Sequence, residues 1–284
     1  NGGIILSTSL LTKPDISINL INKEVLSPIG IALETMRSKV LELSNKTLYY
    51  PVDPTSRFDA YVGGTLSCNA SGFIPGEKGA TRHWVKEIEF LLPNGDLVEI
   101  KRNQYISNNG YFSLEYNNKI IKLPVPTYDR PKIKNASGLY SNNNGVVDLI
   151  DLIIGSEGIL GIITSCHLGL APYPANHLEL FISLSSESNA IDFHDFLYNY
   201  FNQDMSKVTA LEYFGYNSQN YMKHKDFLFS NDNDVGIYLQ IPIFNHSLES
   251  KVEEWIKILQ SFNPNIDLDR IIVLNDPINW KKFF

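Results

Sequence analysis

The sequence runs to 284 residues, with 24 Lys and Arg against 31 Asp and Glu. The formal net charge of -7 argues against nucleic-acid binding driven by phosphate neutralisation. Its apolar share of 43% is ample for real cores and its length exceeds that of a usual single domain, so two domains are expected. Apolar runs are too short and too interrupted to span a bilayer. Cys68 and Cys166 lack the spacing of a zinc site or a disulfide framework. The expectation is a soluble cytoplasmic protein, membrane-peripheral at most.

In chain order, Ile16 to Val25 alternates as a strand. Ser27-Pro28 then offers an N-cap and first-turn pair for a helix with Leu33, Met36, Val40 and Leu43 on its inner face. Pro51-Val52-Asp53-Pro54-Thr55-Ser56 follows. Its two prolines flanking Val52-Asp53 fix φ at two positions and stiffen the backbone, as suits a wall against a flat ring system. Gly63-Gly64-Thr65-Leu66-Ser67-Cys68-Asn69-Ala70-Ser71-Gly72 reads as a small, polar, glycine-flanked loop. An extended backbone there turns Ser67, Asn69 and Ser71 to one side. Val85 to Leu92 and Leu97 to Ile100, joined at Asn94-Gly95, read as a hairpin. Lys101 to Asn144 is long and polar, with a solvated excursion expected around Asn108 and Asn117.

The stretch from Asp148 to Thr164 carries the most information. Leu149, Ile150, Leu152 and Ile153 recur at one-helix-face spacing behind Asp148 as cap, and Ile162, Thr164, Cys166 and Leu168 alternate as a half-buried strand. Gly155, Gly158 and Gly161 lie between the two elements. Glycine permits positive φ and close approach of main-chain N–H groups to a ligand, as in a diphosphate loop. A tight helix-to-strand turn accounts equally well for that spacing alone. Two such loops in one chain suggest one long ligand.

Composition shifts after Ala171-Pro172-Tyr173-Pro174, a natural boundary because two prolines break pairing. The division expected is 1–173 and 174–284. Beyond it come a strand at Leu178 to Leu184, a helix through Ala190, Phe193, Leu197, Tyr200 and Phe201, and a strand at Leu211 and Tyr213. A strand at Val235 to Ile243, a helix through Val252, Trp255, Ile256 and Leu259 capped at Ser247, and a last strand at Ile271 to Leu274 complete the run. The order βαββαβ is the ferredoxin-like pattern, an antiparallel sheet with helices on one face and the other free to close over a ligand. The six histidines show no metal spacing and none is given a catalytic role. No Ser, His and Asp set supports hydrolysis.

Pro51 to Ser56, Gly63 to Gly72, Gly79-Ala80-Thr81-Arg82, Leu92-Pro93-Asn94-Gly95, Asp148 to Thr164 and Ala210-Leu211-Glu212-Tyr213-Phe214 stand in an order and spacing similar to those of a known family. The sequence resembles the FAD-linked oxidases of the vanillyl-alcohol oxidase superfamily, nearest the branch of D-lactate dehydrogenase and glycolate oxidase. The resemblance implies an α+β protein with a PCMH-type FAD-binding domain over 1–173 and a ferredoxin-like substrate cap over 174–284. It implies that Asp53, Pro54, Thr55 and Ser56 meet the isoalloxazine and ribityl chain. Gly63, Gly64, Cys68, Asn69, Ala70, Ser71 and Gly72 then line the flavin and pyrophosphate, and Glu157, Gly158, Ile162 and Ile163 hold the adenosine half, largely through backbone. Cys68 and Ile159 depart from the residues usual there without removing a backbone donor.

The same likeness implies that the chain is truncated at both ends. It opens after the family's first phosphate loop and stops before the segment that supplies a catalytic base or metal ligands. Lys132 and Lys134, in Arg130-Pro131-Lys132-Ile133-Lys134-Asn135-Ala136-Ser137-Gly138, reach the cofactor or substrate on this reading and are solvated surface lysines on the plainer one. Glu212 either orients substrate or is an exposed strand residue. The activity implied is hydride transfer from a 2-hydroxy acid of the D-lactate or glycolate type to FAD, with reoxidation by oxygen, a quinone, a cytochrome or an iron-sulfur protein. The alternatives are the alkyl-glycerone-phosphate synthase reaction and a non-catalytic flavin-binding or assembly subunit.

Overall fold

The structure is a computed structural model and describes residues 5–116, 119–131, 133–136, 138–262 and 266–283. Asn117, Lys132 and Ser137, singled out above, lie outside them, as does the opening Asn1 to Ile4. The chain divides into two compact units, one of residues up to Gly72 with Gly76–Tyr173, the other of Phe73–Pro75 with Pro174–Phe284.

The first unit begins with β1 (Ser17–Asn19), β2 (Glu24–Pro28), α1 (Leu33–Leu43), β3 (Leu48–Tyr49), α2 (Val62–Ser67) and α3 (Thr81–Trp84). It continues with β4 (Val85–Leu91), β5 (Leu97–Lys101), β6 (Tyr111–Tyr116), β7 (Lys119–Pro124), α4 (Leu149–Ile153), β8 (Ile162–Gly169) and β9 (Ala171–Pro172). Its main sheet is antiparallel in the order β1-β2-β8-β4-β5. Val85, Ile88 and Phe90 of β4 and Cys166 and Leu168 of β8 are buried with Leu33, Met36 and Val40 of α1 and the apolar residues of α4 in one core. Two register irregularities in the β4–β8 pairing, at Val85/Glu87 and Glu89/Phe90, re-aim the strand ends.

Three local expectations change. Ile16 to Val25 is a hairpin rather than one strand, because the chain reverses between β1 and β2 with Lys23 at φ 54°. Ser27 and Pro28 do not start a helix. Ser27 pairs with Cys166 and Pro28 with Ser165 at the end of β2, and α1 starts at Leu33 behind Ala32, which gives no side-chain cap. Leu33, Met36 and Val40 face inward as expected, whereas Leu43 is exposed. The stretch around Asn108 is exposed, as expected, and leads into the β6–β7 hairpin by a turn at Asn109 and Gly110, with Phe112 buried beyond it.

The second unit contains β10 (Asn176–Leu184), α5 (Glu187–Tyr200), β11 (Ala210–Phe214), α6 (Lys225–Leu228), β12 (Val235–Ile243), α7 (Leu248–Gln260), β13 (Ile271–Val273) and α8 (Pro277–Phe283). The sheet order β11-β12-β10-β13, antiparallel throughout, is the ferredoxin-like arrangement on the βαββαβ run. Leu178, Leu180, Ile182, Ile237, Leu239 and Ile241 bury one face with Phe193, Leu197, Trp255 and Leu259 from α5 and α7. Ser186 and Ser247 cap those helices by accepting the amides of Asn189 and Ser250. The other face is not left free. Phe181, Ala210 and Tyr238 are buried with Leu228 and Phe229, and Phe214, Trp280 and Phe283 pack against them. Phe181 meets the rings of Phe229 and Phe283 with centroids 5.3 and 5.5 Å apart.

Candidate functional site

The glycine-flanked segment after Tyr61 begins as the short helix α2, not as a loop. The amides of Val62 and Gly63 donate to the carbonyls of Ile31 and Ile29, each at 2.9 Å, tying the helix start to the chain that leaves β2. A Cβ on Gly63 would sit 3.0 Å from the side chain of Ile29, so close seating requires a residue without one. Gly64 differs: nothing lies within 4 Å of its missing Cβ, and this side of the helix is open.

Past Cys68 the chain turns through Asn69 at φ 49°, so Ser67, Asn69 and Ser71 do not share an extended run. Asn69 is fully buried. Its Oδ1 accepts the Arg82 amide at 2.8 Å, while its Nδ2 is buried without a partner among the described residues. The Ala70 carbonyl accepts from the amide and hydroxyl of Thr81 at 3.0 and 2.9 Å, and the Gly72 amide donates to Gly79. A Cβ on Gly72 would overlap the amide nitrogen of Asp53, which brings Pro51–Ser56 against the end of this segment.

The Asp53 carboxylate is engaged by Arg57 Nη1 at 2.6 Å and Arg37 Nη2 at 3.6 Å. Arg37 also donates to the carbonyls of Tyr50 and Val52. These contacts fix Pro51–Ser56 in place, with Asp53 and Pro54 half-buried and Thr55 and Ser56 exposed.

The second segment docks on the first. Asp148 caps α4 through the Ile150 amide, and after Ile154 the chain turns at Gly155 with φ 85°. The Gly155 amide donates to Leu66 at 3.0 Å and the Glu157 amide to Ser67 at 2.9 Å, so the last turn of α2 receives the glycine turn directly. Gly155 lies so close to Arg82 Nη2 and the Asn69 Cβ that its own Cβ would be 2.8 and 3.1 Å from them. Glu157 and Gly158, both at positive φ, form the exposed tip, and the Cβ position of Gly158 faces open space. Ile162 and Ile163 pair with Leu91 and Phe90. Ile163 is buried, so its side chain serves the core and only its backbone is available to a ligand.

Lys134 Nζ donates to the Gly72 carbonyl at 2.9 Å and thereby reaches the first segment. Glu212 lies in the second unit, half-buried in β11 and in register with Tyr238 of β12.

A set of residues that sequence reasoning gave no role holds the two segments in place. Buried Arg82 donates from Nε to the Asp151 carbonyl at 3.1 Å and from Nη2 to the Ile154 carbonyl. Arg102 donates to the Asp151 carboxylate, to the Arg82 carbonyl at 2.8 Å and to the Val85 carbonyl. Burial lowers Arg82 to about 10, and it raises Asp151 above the usual carboxylate range against the pull of Arg102. The Gly-Ala-Thr-Arg landmark was the one available signal, and it marked the position without disclosing the role.

The two thiols differ sharply. Burial drives Cys166 up to about 12, whereas Cys68 is exposed at the end of α2. Thiol labelling of the native protein is expected to modify Cys68 and spare Cys166, with both reacting after denaturation. FAD is expected to slow the reaction at Cys68. Equal labelling with and without FAD would place the ligand away from α2.

Comparison with known proteins gives the class. Residues 1–101 match the family described as an FAD binding domain, which supports FAD as the cofactor. The resemblance to FAD-linked oxidases read from the sequence is shown by its relatives. The chain is 29% identical over 182 residues to D-2-hydroxyglutarate dehydrogenase of Xanthomonas citri pv. viticola, covering 63% of this chain and 30% of that protein. It is 26% identical over 190 residues to D-lactate dehydrogenase of Anaerostipes hadrus, covering 67% of this chain and 31% of that protein. It is 27% identical over 147 residues to the glycolate oxidase protein GlcD of Bacillus subtilis, covering 52% and 23%. Among solved structures, alkyldihydroxyacetonephosphate synthase shares the fold, with a TM-score of 0.58 at 13% identity over 94% of this chain and 42% of that one. The chain thus spans about a third of the length of the first two relatives.

The residues present fit the cofactor. Two glycine positions face open space, and left-handed turns at Asn69, Gly155, Glu157 and Gly158 supply the backbone curvature that diphosphate-binding loops use.

Proposed function

We propose that the protein is an FAD-dependent oxidoreductase that oxidises a 2-hydroxy acid of the D-2-hydroxyglutarate, D-lactate or glycolate type. The observation that carries this reading is the direct union of α2 with the Gly155–Gly158 turn, which sets two glycine segments side by side in a domain of the FAD-binding family. The activities for which its relatives are named supply the substrate class. FAD, when bound, supplies the hydride acceptor. The chain's own residues hold and orient it: Gly63, Gly64, Cys68, Asn69, Ala70, Ser71 and Gly72 along the flavin and pyrophosphate, Glu157, Gly158, Ile162 and Ile163 along the adenosine half, and Asp53 to Ser56 as the wall beside the ring. Residues 1–173 serve as the FAD-binding domain and 174–284 as the substrate side. A quinone, a cytochrome, an iron-sulfur protein or oxygen removes the electrons. Two unpaired cysteines suit a reducing, cytoplasmic setting.

Anaerobic mixing of the flavin-loaded full-length protein with D-2-hydroxyglutarate, D-lactate and glycolate tests the reading. Loss of the visible flavin band with one of them is expected. Retention of the band with every acid, while dithionite still bleaches it, would contradict the oxidation and favour a flavoprotein of another reaction.

A further inference from the structure

Beside the proposed flavin seat, and within the first unit, lies a cavity of about 310 Å³ lined among others by Asn69, Arg82, Lys86, Arg102, Arg130 and Lys134. Its wall carries five cationic side chains against two acidic ones, Glu77 and Asp151, in a chain whose net charge is -7. The guanidiniums of Arg82 and Arg130 both lie on the Tyr140 ring, 4.9 and 4.6 Å from its centroid. Like charges gathered in a partly desolvated space repel one another, and Arg130 and Arg102 both act to depress the Arg82 charge. His83, on the same wall, is held below its ordinary value by burial and by Lys78 and Lys86, so it adds no charge of its own.

Much of this charge is already engaged. Arg82 bridges two carbonyls, Arg102 holds Asp151, and Lys134 reaches Gly72. Among the described residues, two donors on the wall have no partner. Arg130 gives Nη2 to the Asn135 carbonyl at 2.9 Å but has a buried Nη1 with no partner, and the fully buried Asn69 has its Nδ2 unpartnered. A buried donor without an acceptor is costly, and here the two residues that carry them both border one cavity rich in cationic side chains.

We propose that this cavity is a binding site for a small oxyanion, a phosphate or a carboxylate, held in the field of Arg82, Lys86, Arg102 and Arg130, with Arg130 Nη1 and Asn69 Nδ2 turning to donate to it on binding. It stands on the cavity alone and does not require the oxidoreductase reading. The site accounts for both unmatched donors at once and offsets the repulsion among the three arginines.

Calorimetric titration of the full-length protein with inorganic phosphate and with succinate, each at low ionic strength, tests it and separates the two sources. Saturable binding of one anion at unit stoichiometry is expected. Arg130→Gln should weaken it by at least about tenfold, as suits loss of a charge-assisted contact. Lys39→Gln, on the exposed face of α1, should leave it unchanged. A circular dichroism spectrum and melting temperature like the parent's would establish that Arg130→Gln is folded. Absence of saturable binding of both anions, or equal binding by a folded Arg130→Gln protein, would overturn the proposal. So would displacement of the bound anion by FAD, which would assign the cavity to the cofactor's own phosphates. Loss of flavin with intact anion binding would count against the flavin seat alone.

Discussion

Replacing Gly64 with Val is expected to lower FAD retention by at least about tenfold, equivalent to roughly 1.4 kcal/mol or more of binding free energy, while leaving the fold intact. The separation of these two effects follows from the surroundings of α2. Gly64 occupies an ordinary helical position whose missing Cβ faces nothing within 4 Å, so a Cβ there meets no protein atom. Glycine is also a poorer helix former than valine, by a few tenths of a kcal/mol, so the substitution should hold or slightly raise the melting temperature. Loss of flavin from a protein of unchanged stability means that the cofactor occupies the space in which valine now stands. Flavin content equal to the parent's would remove α2 from the binding surface. Gly63 and Gly72 cannot serve this purpose, because their Cβ positions already meet Ile29 and the Asp53 backbone.

The second large effect is on stability. Arg82→Leu removes the donors to the Asp151 and Ile154 carbonyls and the guanidinium that stacks on Tyr140. Each buried acceptor left without a partner costs about 1–3 kcal/mol, so a loss of roughly 2–6 kcal/mol is expected. Denaturant unfolding measures it as a lowered midpoint at unchanged slope. Because the Ile154 carbonyl lies one residue before the turn at Gly155, flavin retention should fall together with stability. Arg82→Lys should recover only part of the loss, since an ammonium lacks the planar fork that reaches both carbonyls. A shift below about 1 kcal/mol would show that the arginine is replaceable.

Most of the second unit could be read in advance. Its strands alternate with period two and its helices carry serine caps, and each signal is local, so Leu178 to Leu184, Val235 to Ile243 and the helix behind Ser247 stand where the pattern puts them. The aromatic cover on the other face was not legible. Phe181, Phe229 and Phe283 meet only in three dimensions, from segments whose own periodicity is weak.

In the first unit the cap at Asp148 and the turn at Gly155 were plain from the sequence, because both depend on neighbours in the chain. Ser27-Pro28 misled. It looks like a helix start, but the distant strand β8 recruits it through pairs with Cys166 and Ser165, and such a partner leaves no local trace. The site followed the same division. Its glycines announced themselves, while Arg82, Arg102 and Arg130 did not, because an arginine that bonds carbonyls about 70 residues away looks in sequence like any surface cation.

Hydrogen exchange on the full-length protein, with and without FAD, tests the shared seat most directly. Added FAD is expected to protect amides within residues 63–72 and 155–163 together, at the same ligand concentration, because Gly155 and Glu157 are bonded to the last turn of α2. Protection confined to one of the two segments, or absent from both while FAD is bound, would contradict the account.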